Sequence, residues 1–199
     1  MDNSLKRLVV LISGNGTNLQ AILDAIANSV LAVRVVLVVS NHKTAYGLQR
    51  AASAGVPTLY FPLKPYRDAG RSREDYDADL ATQIGIYEPD LVVLAGWMHV
   101  FSPVFLDRFP HRVINLHPAL PNTFSGTEAI QRAYAAYRKG EIATSGCMVH
   151  YAVPEVDTGQ VITQEIVPFK ADDTLETYEA RMHEAEHQVI VAAIRNVLA

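Results

Sequence analysis

Residues 8–12 read LVVLI, apolar at every position, and runs of the same buried type recur at 33–39, 91–95 and 112–116. A strand that is apolar at successive positions must be covered on both of its faces. Stretches with helical spacing lie between the runs. Leu19, Ile22, Leu23 and Ile26 share one face of a helix expected over 19–27, and a second helix is expected over 45–54, closed by Gly55. A short strand at 56–61, a loop at 62–70 and a helix at 72–86 follow, the last capped by Ser72 with Glu74 and Asp75 in its first turn. This repetition predicts an α/β fold, Rossmann-like, with a mostly parallel twisted sheet, right-handed crossovers and helices on both faces.

The second half changes character. A Pro/Gly/Ser/Asn-rich loop at 118–126 leads into a helix at 127–139 that Gly140 stops. Strands at 145–153 and 160–167 and a final helix at 173–198 are expected next. No linker, repeat or charge block divides the chain. One domain over 1–199 is expected, with an N-terminal half of about 1–100 and a C-terminal half of about 101–199.

Composition narrows the class. The 199 residues are 49% hydrophobic, and a chain of this size buries about 70% of its unfolded surface, so it folds without disulfide or structural metal. A balance of 17 basic to 21 acidic residues, formally −4, argues against a nucleic-acid partner. The single cysteine, Cys147, excludes an intrachain disulfide and a Cys-rich zinc module, and reads as a small core residue. Apolar runs such as 35–39 fall far short of the ~20 residues a membrane span requires. The start, MDNSLKRLVVLIS, carries no signal-peptide pattern. A cytoplasmic protein with no membrane partner is expected.

Three sites stand out. Ser13-Gly14-Asn15-Gly16-Thr17-Asn18 joins the first strand to the first helix. It departs from a dinucleotide fingerprint at Leu19, and the second strand ends in Ser40-Asn41 without the ribose-binding acid. Its free N–H groups at a helix start suit a single phosphate; read alone, it also describes a plain tight turn. Asn115 and His117 lie two apart at the end of a strand, so they project side by side, and Pro118 keeps His117 extended. An amide donor beside an imidazole suits oxyanion stabilisation and proton transfer; a hydrogen-bonded strand end is the bland alternative. Asp157, in the loop 154–159, would fix the imidazole's tautomer, or simply form a turn before Gly159.

Other residues carry less. His183-Glu184-Ala185-Glu186-His187 matches the zinc-protease pattern HExxH, but no His, Asp or Glu follows to complete a ligand set. A helix face lining a pocket or solvent is the expected reading, with no metal. Trp97 and Met98 suit either core packing or the wall of a slot for a flat ring. His42, His111 and His150 show no metal-like spacing.

Four segments together resemble the phosphoribosylglycinamide formyltransferase family, folate-dependent enzymes of purine biosynthesis. They are VVLISGNGTNLQAI at 9–22, DLVVLAGWMHVFSP at 90–103, INLHPALP at 114–121 and MVHYAVPEVDTGQVI at 148–162, in the family's order. The resemblance implies a formyltransferase fold and transfer of a formyl group from the cosubstrate 10-formyltetrahydrofolate to the primary amine of glycinamide ribonucleotide, with small-molecule partners only. A homodimer is compatible with it. It implies Asn115, His117 and Asp157 as the catalytic trio, with a protonated His117 held charged by Asp157. It implies Gly14, Asn15, Gly16, Thr17 and Asn18 as the ribonucleotide's phosphate loop, and Glu186 as a contact to its sugar. Arg73, Met98, His99, Val100 and Phe101 match positions around the folate, with Val153, Pro154, Glu155 and Val156 closing over the pterin.

The chain departs from the family at Ser125-Gly126, where Pro-Gly is common, at Glu128 in place of a histidine, and at His99 in place of an arginine. Formyltetrahydrofolate deformylase shares the trio but normally carries an added N-terminal domain, and related formyltransferases carry a C-terminal extension. A length of 199 residues fits the ribonucleotide-specific enzyme. A non-catalytic folate- or phosphoribosyl-binding module is the remaining alternative, disfavoured by the complete trio.

Overall fold

The structure, a computed structural model, describes residues 5–199; residues 1–4, where the segment read as leaderless begins, lie outside it. Its strands are β1 (Lys6–Ile12), β2 (Val33–Ser40), β3 (Thr58–Tyr60), β4 (Leu91–Leu94), β5 (Val113–His117), β6 (Thr144–Tyr151) and β7 (Val161–Pro168). They form one sheet in the order β3-β2-β1-β4-β5-β6-β7. Pairing is parallel from β3 through β5 and antiparallel from β5 through β7.

The helices are α1 (Thr17–Ala27), α2 (Tyr46–Ser53), α3 (Lys64–Asp68), α4 (Arg73–Gly85), α5 (Pro103–Leu106), α6 (Ala129–Arg138) and α7 (Leu175–Leu198). The uniformly apolar β1 now has its explanation. Leu8, Val10 and Ile12 enter a core shared with α1, α2, α6 and α7, while Val9 and Leu11 enter a second core under α3, α4 and α5. All five side chains are fully buried, each stabilising the fold by roughly 1.5–3 kcal/mol. In β2 the alternation slips once. Leu8 pairs with Val35 but Val9 with Leu37, so Val36 is an extra residue, and Val36 and Leu37 reach the same core.

The expected cap of α4 is present: the Asp75 N–H donates to Ser72 Oγ (3.0 Å) and the Ser72 N–H to Asp75 Oδ2 (2.9 Å). Thr174 and Thr177 close α7 in the same way. Three expectations need correction. The loop at 62–70 contains α3, and α5 forms in a stretch with no helical expectation. These helices span only 5 and 4 residues, too few for an apolar period to register. The helix expected from 127 starts at Ala129, because Glu128 sits in the left-handed region at φ 56°. No helix among the described residues is long and apolar enough to cross a membrane.

Candidate active site

The chain leaves β1 toward β2 on one side and later returns as β4 on the other, so a crevice opens between the loops that follow β1 and β4. Loops 13–18, 95–102 and 118–128 therefore lie together at the carboxyl edge. Two bonds tie the first to the second: the Ser13 N–H donates to the Gly96 carbonyl (2.9 Å) and the Met98 N–H to Ser13 Oγ (3.0 Å).

The start of α1 is built unlike those of α4 and α7. Its cap is Gly16, at φ 74°, with no side-chain cap and no acid in the first turn. The first-turn N–H groups and the positive end of the helix thus remain open to an anion. Gly16 packs directly on α2: a Cβ there would come 2.7 Å from Gly47 Cα, and one at Gly47 would overlap the Ile12 side chain. Gly47→Ala is accordingly expected to lower the unfolding free energy by about 1–3 kcal/mol, the scale of overpacking, measurable by urea titration.

Behind the loop, Asn18 Nδ2 donates to Glu186 Oε2 (3.4 Å), which also accepts from His183 Nδ1 (2.8 Å). Glu186 is buried, and it raises the pKa of His183 through this bond. The HEAEH segment thus turns a carboxylate toward the phosphate-type loop. Among the described residues, no group of three or more His, Cys, Asp or Glu converges as a metal site.

The second centre lies at the end of β5. Asn115 and His117 do share a face, and Asp157 reaches both. Asn115 Nδ2 donates to Asp157 Oδ1 (3.2 Å), and His117 Nδ1 lies 3.3 Å from Asp157 Oδ2. The Gly126 N–H donates to the same Oδ2 (2.8 Å). Burial alone would raise the pKa of Asp157, but His150, the Gly126 N–H and His117 outweigh it and hold the carboxyl below its ordinary value.

At His117 two influences oppose each other. Burial is the largest influence and pushes its pKa down; Asp157 and the Phe124 carbonyl, 3.3 Å from Nε2, push it up by less. Burial thus works against the expected imidazolium, and the net direction is downward. Both ring nitrogens nevertheless face acceptors, a geometry only the charged ring satisfies fully.

The reading of the sequence passed over several residues that complete this centre. Antiparallel pairing sets His150 directly opposite Asn115. His150 Nδ1 donates to the Tyr151 carbonyl (2.9 Å), and its Nε2 lies 3.2 Å from Asn115 Nδ2 and 3.5 Å from Asp157 Oδ1. Arg132 on α6 donates to the Phe124 and Ser125 carbonyls (2.6 Å each), drawing loop 118–128 over the site. Asn122, Phe124, Glu128 and Asp157 all adopt positive φ, backbone strain that concentrates in the two loops bordering the centre. Only the strand pairing, invisible in a linear pattern, would have singled out His150.

A cleft of about 240 Å³ opens beside this centre. Its wall includes Asn115, His117, His150 and Asp157, the apolar Leu94, Trp97 and Phe101, and the expected Met98, His99, Val100, Val153 and Val156. Arg73, Pro154 and Glu155 lie outside it. Arg73 instead pairs with buried Asp77 (2.8 Å) and donates to the Val100 carbonyl (2.5 Å), while Asp77 accepts the Ser102 N–H (2.8 Å). It braces the wall from behind. His99 stacks edge-on against Trp97 and Tyr76 and meets Asn41 Nδ2 at 3.1 Å. Burial, with the charges of Arg73 and His42, lowers its pKa to about 4, so it is a neutral wall residue.

Residues 6–194 match the formyl transferase family profile. The phosphoribosylglycinamide formyltransferase of Schizosaccharomyces pombe is 47% identical over 201 residues, covering 96% of each chain. The crystal structure of glycinamide ribonucleotide transformylase 1 from Symbiobacterium toebii superposes with a TM-score of 0.89 at 40% identity, over 98% of this chain and 88% of that one. The phosphoribosylglycinamide formyltransferase of Bacillus halodurans gives 0.90 at 30% identity, over 98% and 96%. Profile, relatives and fold agree, and the chain belongs to the formyl transferase family, on its phosphoribosylglycinamide formyltransferase branch.

Proposed function

We propose that this chain, acting as one domain over residues 1–199, transfers a formyl group from 10-formyltetrahydrofolate to the primary amine of glycinamide ribonucleotide in de novo purine biosynthesis. The observation that carries the reading is the carboxylate of Asp157 gathering Asn115, His117 and the Gly126 N–H at one end of an apolar cleft. A flat apolar wall of Trp97 and Phe101 suits the ring system of a formyl folate. The uncapped start of α1, backed by Asn18 and Glu186, suits a ribonucleotide's phosphate and sugar. The reading carries no metal, nucleic-acid or membrane partner, a cytoplasmic location, and is compatible with a homodimer.

In this mechanism the amine is the nucleophile and no covalent enzyme intermediate forms. The amine nitrogen bonds to the formyl carbon, the carbonyl electrons move onto oxygen, and the bond to the folate nitrogen then breaks. Asn115 donates to the developing oxyanion. The proton lost by the attacking amine is held on His117, where the growing negative charge favours it and both ring nitrogens donate, until it passes to the departing nitrogen. Asp157 orients both groups and assists, through water, the passage of the amine proton to the departing nitrogen.

Incubating purified protein with 10-formyltetrahydrofolate, with and without glycinamide ribonucleotide, tests the reading. Tetrahydrofolate release is expected only when the ribonucleotide is present. Release at the same rate without it would replace this function with that of a hydrolase.

A further inference from the structure

Arg50 lies on α2, outside the loop 13–18, and spends its guanidinium entirely on neutral groups. Nε donates to the Asn15 carbonyl (2.9 Å), Nη2 to Asn15 Oδ1 (2.8 Å) and Nη1 to Gln20 Oε1 (3.2 Å). The Tyr46 ring covers the group, its centroid 4.8 Å from the guanidinium carbon. Arg71, Arg73 and Arg181 each pair with an aspartate, but among the described residues no carboxylate stands within ion-pair distance of Arg50. Its stem runs along the outside of the loop, with Cδ 3.7 Å from where a Gly16 Cβ would sit.

The loop itself, SGNGTN, contains no cationic residue. Its N–H groups offer direction and partial charge but no full positive charge. Arg50 is half-buried as a residue, and its guanidinium, without a counter-charge among the described residues, leaves a positive field that an anion in the loop would complete. The fork on Asn15 also fixes the loop's backbone, so one side chain both shapes the cradle and charges it.

We propose that Arg50 is a positioning residue for the substrate's phosphate, bracing loop 13–18 through Asn15 and supplying the unpaired positive charge behind it. This deepens the proposed ribonucleotide reading and rests on it for the identity of the anion. It does not touch the reacting atoms, so its effect belongs in ribonucleotide binding.

The full-length protein and its Arg50→Gln and Arg50→Lys variants are compared by steady-state kinetics, with inorganic phosphate as a competitor and salt concentration as a variable. In Arg50→Gln the ribonucleotide KM is expected to rise about tenfold and phosphate inhibition to weaken equally, the scale of one partly screened charge. Turnover and the folate KM should stay within about twofold, and the ribonucleotide KM should rise less steeply with salt than in the wild type. Arg50→Lys keeps the charge but loses the fork, so it should fall between the two. An unchanged ribonucleotide KM and phosphate inhibition in Arg50→Gln would overturn the proposal. So would a uniform loss of turnover and both KM values with a lowered Tm, which marks a purely structural brace. Should Arg50→Gln fail to fold, Arg50→Lys decides by whether its phosphate inhibition weakens at unchanged Tm. Ribonucleotide-independent tetrahydrofolate release by the wild type would sink the functional reading alone, while direct calorimetric titration of inorganic phosphate into wild type and Arg50→Gln would still decide the role of Arg50, weaker binding in the variant supporting it and equal binding overturning it.

Discussion

Asn115→Ala is expected to reduce turnover by about 10²–10³-fold, the scale of one lost oxyanion donor, while the ribonucleotide KM moves only a few-fold. The split follows from the bonds its amide makes at rest. The Asn115 amide already serves Asp157 Oδ1 and His150 Nε2, each at 3.2 Å. To reach a substrate oxygen it must give up or share one of them. A neutral formyl oxygen offers little return for that exchange, whereas an oxyanion is a far better acceptor, so the bond matters mainly in the transition state. Truncation also removes buried polar contacts to Asp157 Oδ1 and His150 Nε2, costing about 1–3 kcal/mol of stability. Steady-state kinetics beside thermal unfolding separates the two losses. Turnover near the wild-type value would remove Asn115 from the mechanism.

How much of this was legible in sequence depended on distance along the chain. The runs at 8–12 and 91–95 became β1 and β4 because burial on both faces leaves no polar position to blur the pattern. Asn115 and His117 were legible as a pair because a strand's two-residue period needs nothing beyond local geometry. Asp157 stood as one of two open readings of its loop until the family resemblance favoured it, since its contact closes a separation of 42 residues to Asn115. His150 was passed over for the same reason. It stands 35 residues from Asn115 in the chain and opposite it in space. That opposition depends on the sheet turning antiparallel at β5, which no residue announces. Arg50 and Arg132 act on backbone carbonyls, and no spacing rule identifies a side chain by the carbonyls it reaches. The pairing of His117 with Asp157 was foreseen, while the burial that opposes it appears only once the loops fold over the ring.

Asp157→Asn should have the larger effect, lowering turnover by about 10³–10⁴-fold, as when the carboxylate that orients a catalytic imidazole becomes an amide. The reason is a count of acceptors. Oδ1 accepts from Asn115, while Oδ2 faces both the Gly126 N–H and His117 Nδ1. An amide at this position keeps one acceptor oxygen. Turned one way, its NH2 confronts the NH2 of Asn115; turned the other, it confronts the Gly126 N–H. His117 loses the negative charge that partly offsets its burial. The limb of the kcat/KM–pH profile belonging to His117 should therefore shift to lower pH. Stability changes with a definite sign as well. The folded pKa of Asp157 lies below its ordinary value. Its ionised form therefore contributes stability fully above the unfolded carboxylate pKa of about 4, and that contribution is lost as pH falls through the lower, folded value. In the variant this part of the acid-side loss should vanish, flattening the decline of unfolding free energy below about pH 5. Chemical denaturation across pH measures it beside the rate profile. An unshifted His117 limb with turnover intact would mean that Asp157 shapes the loop without governing the chemistry.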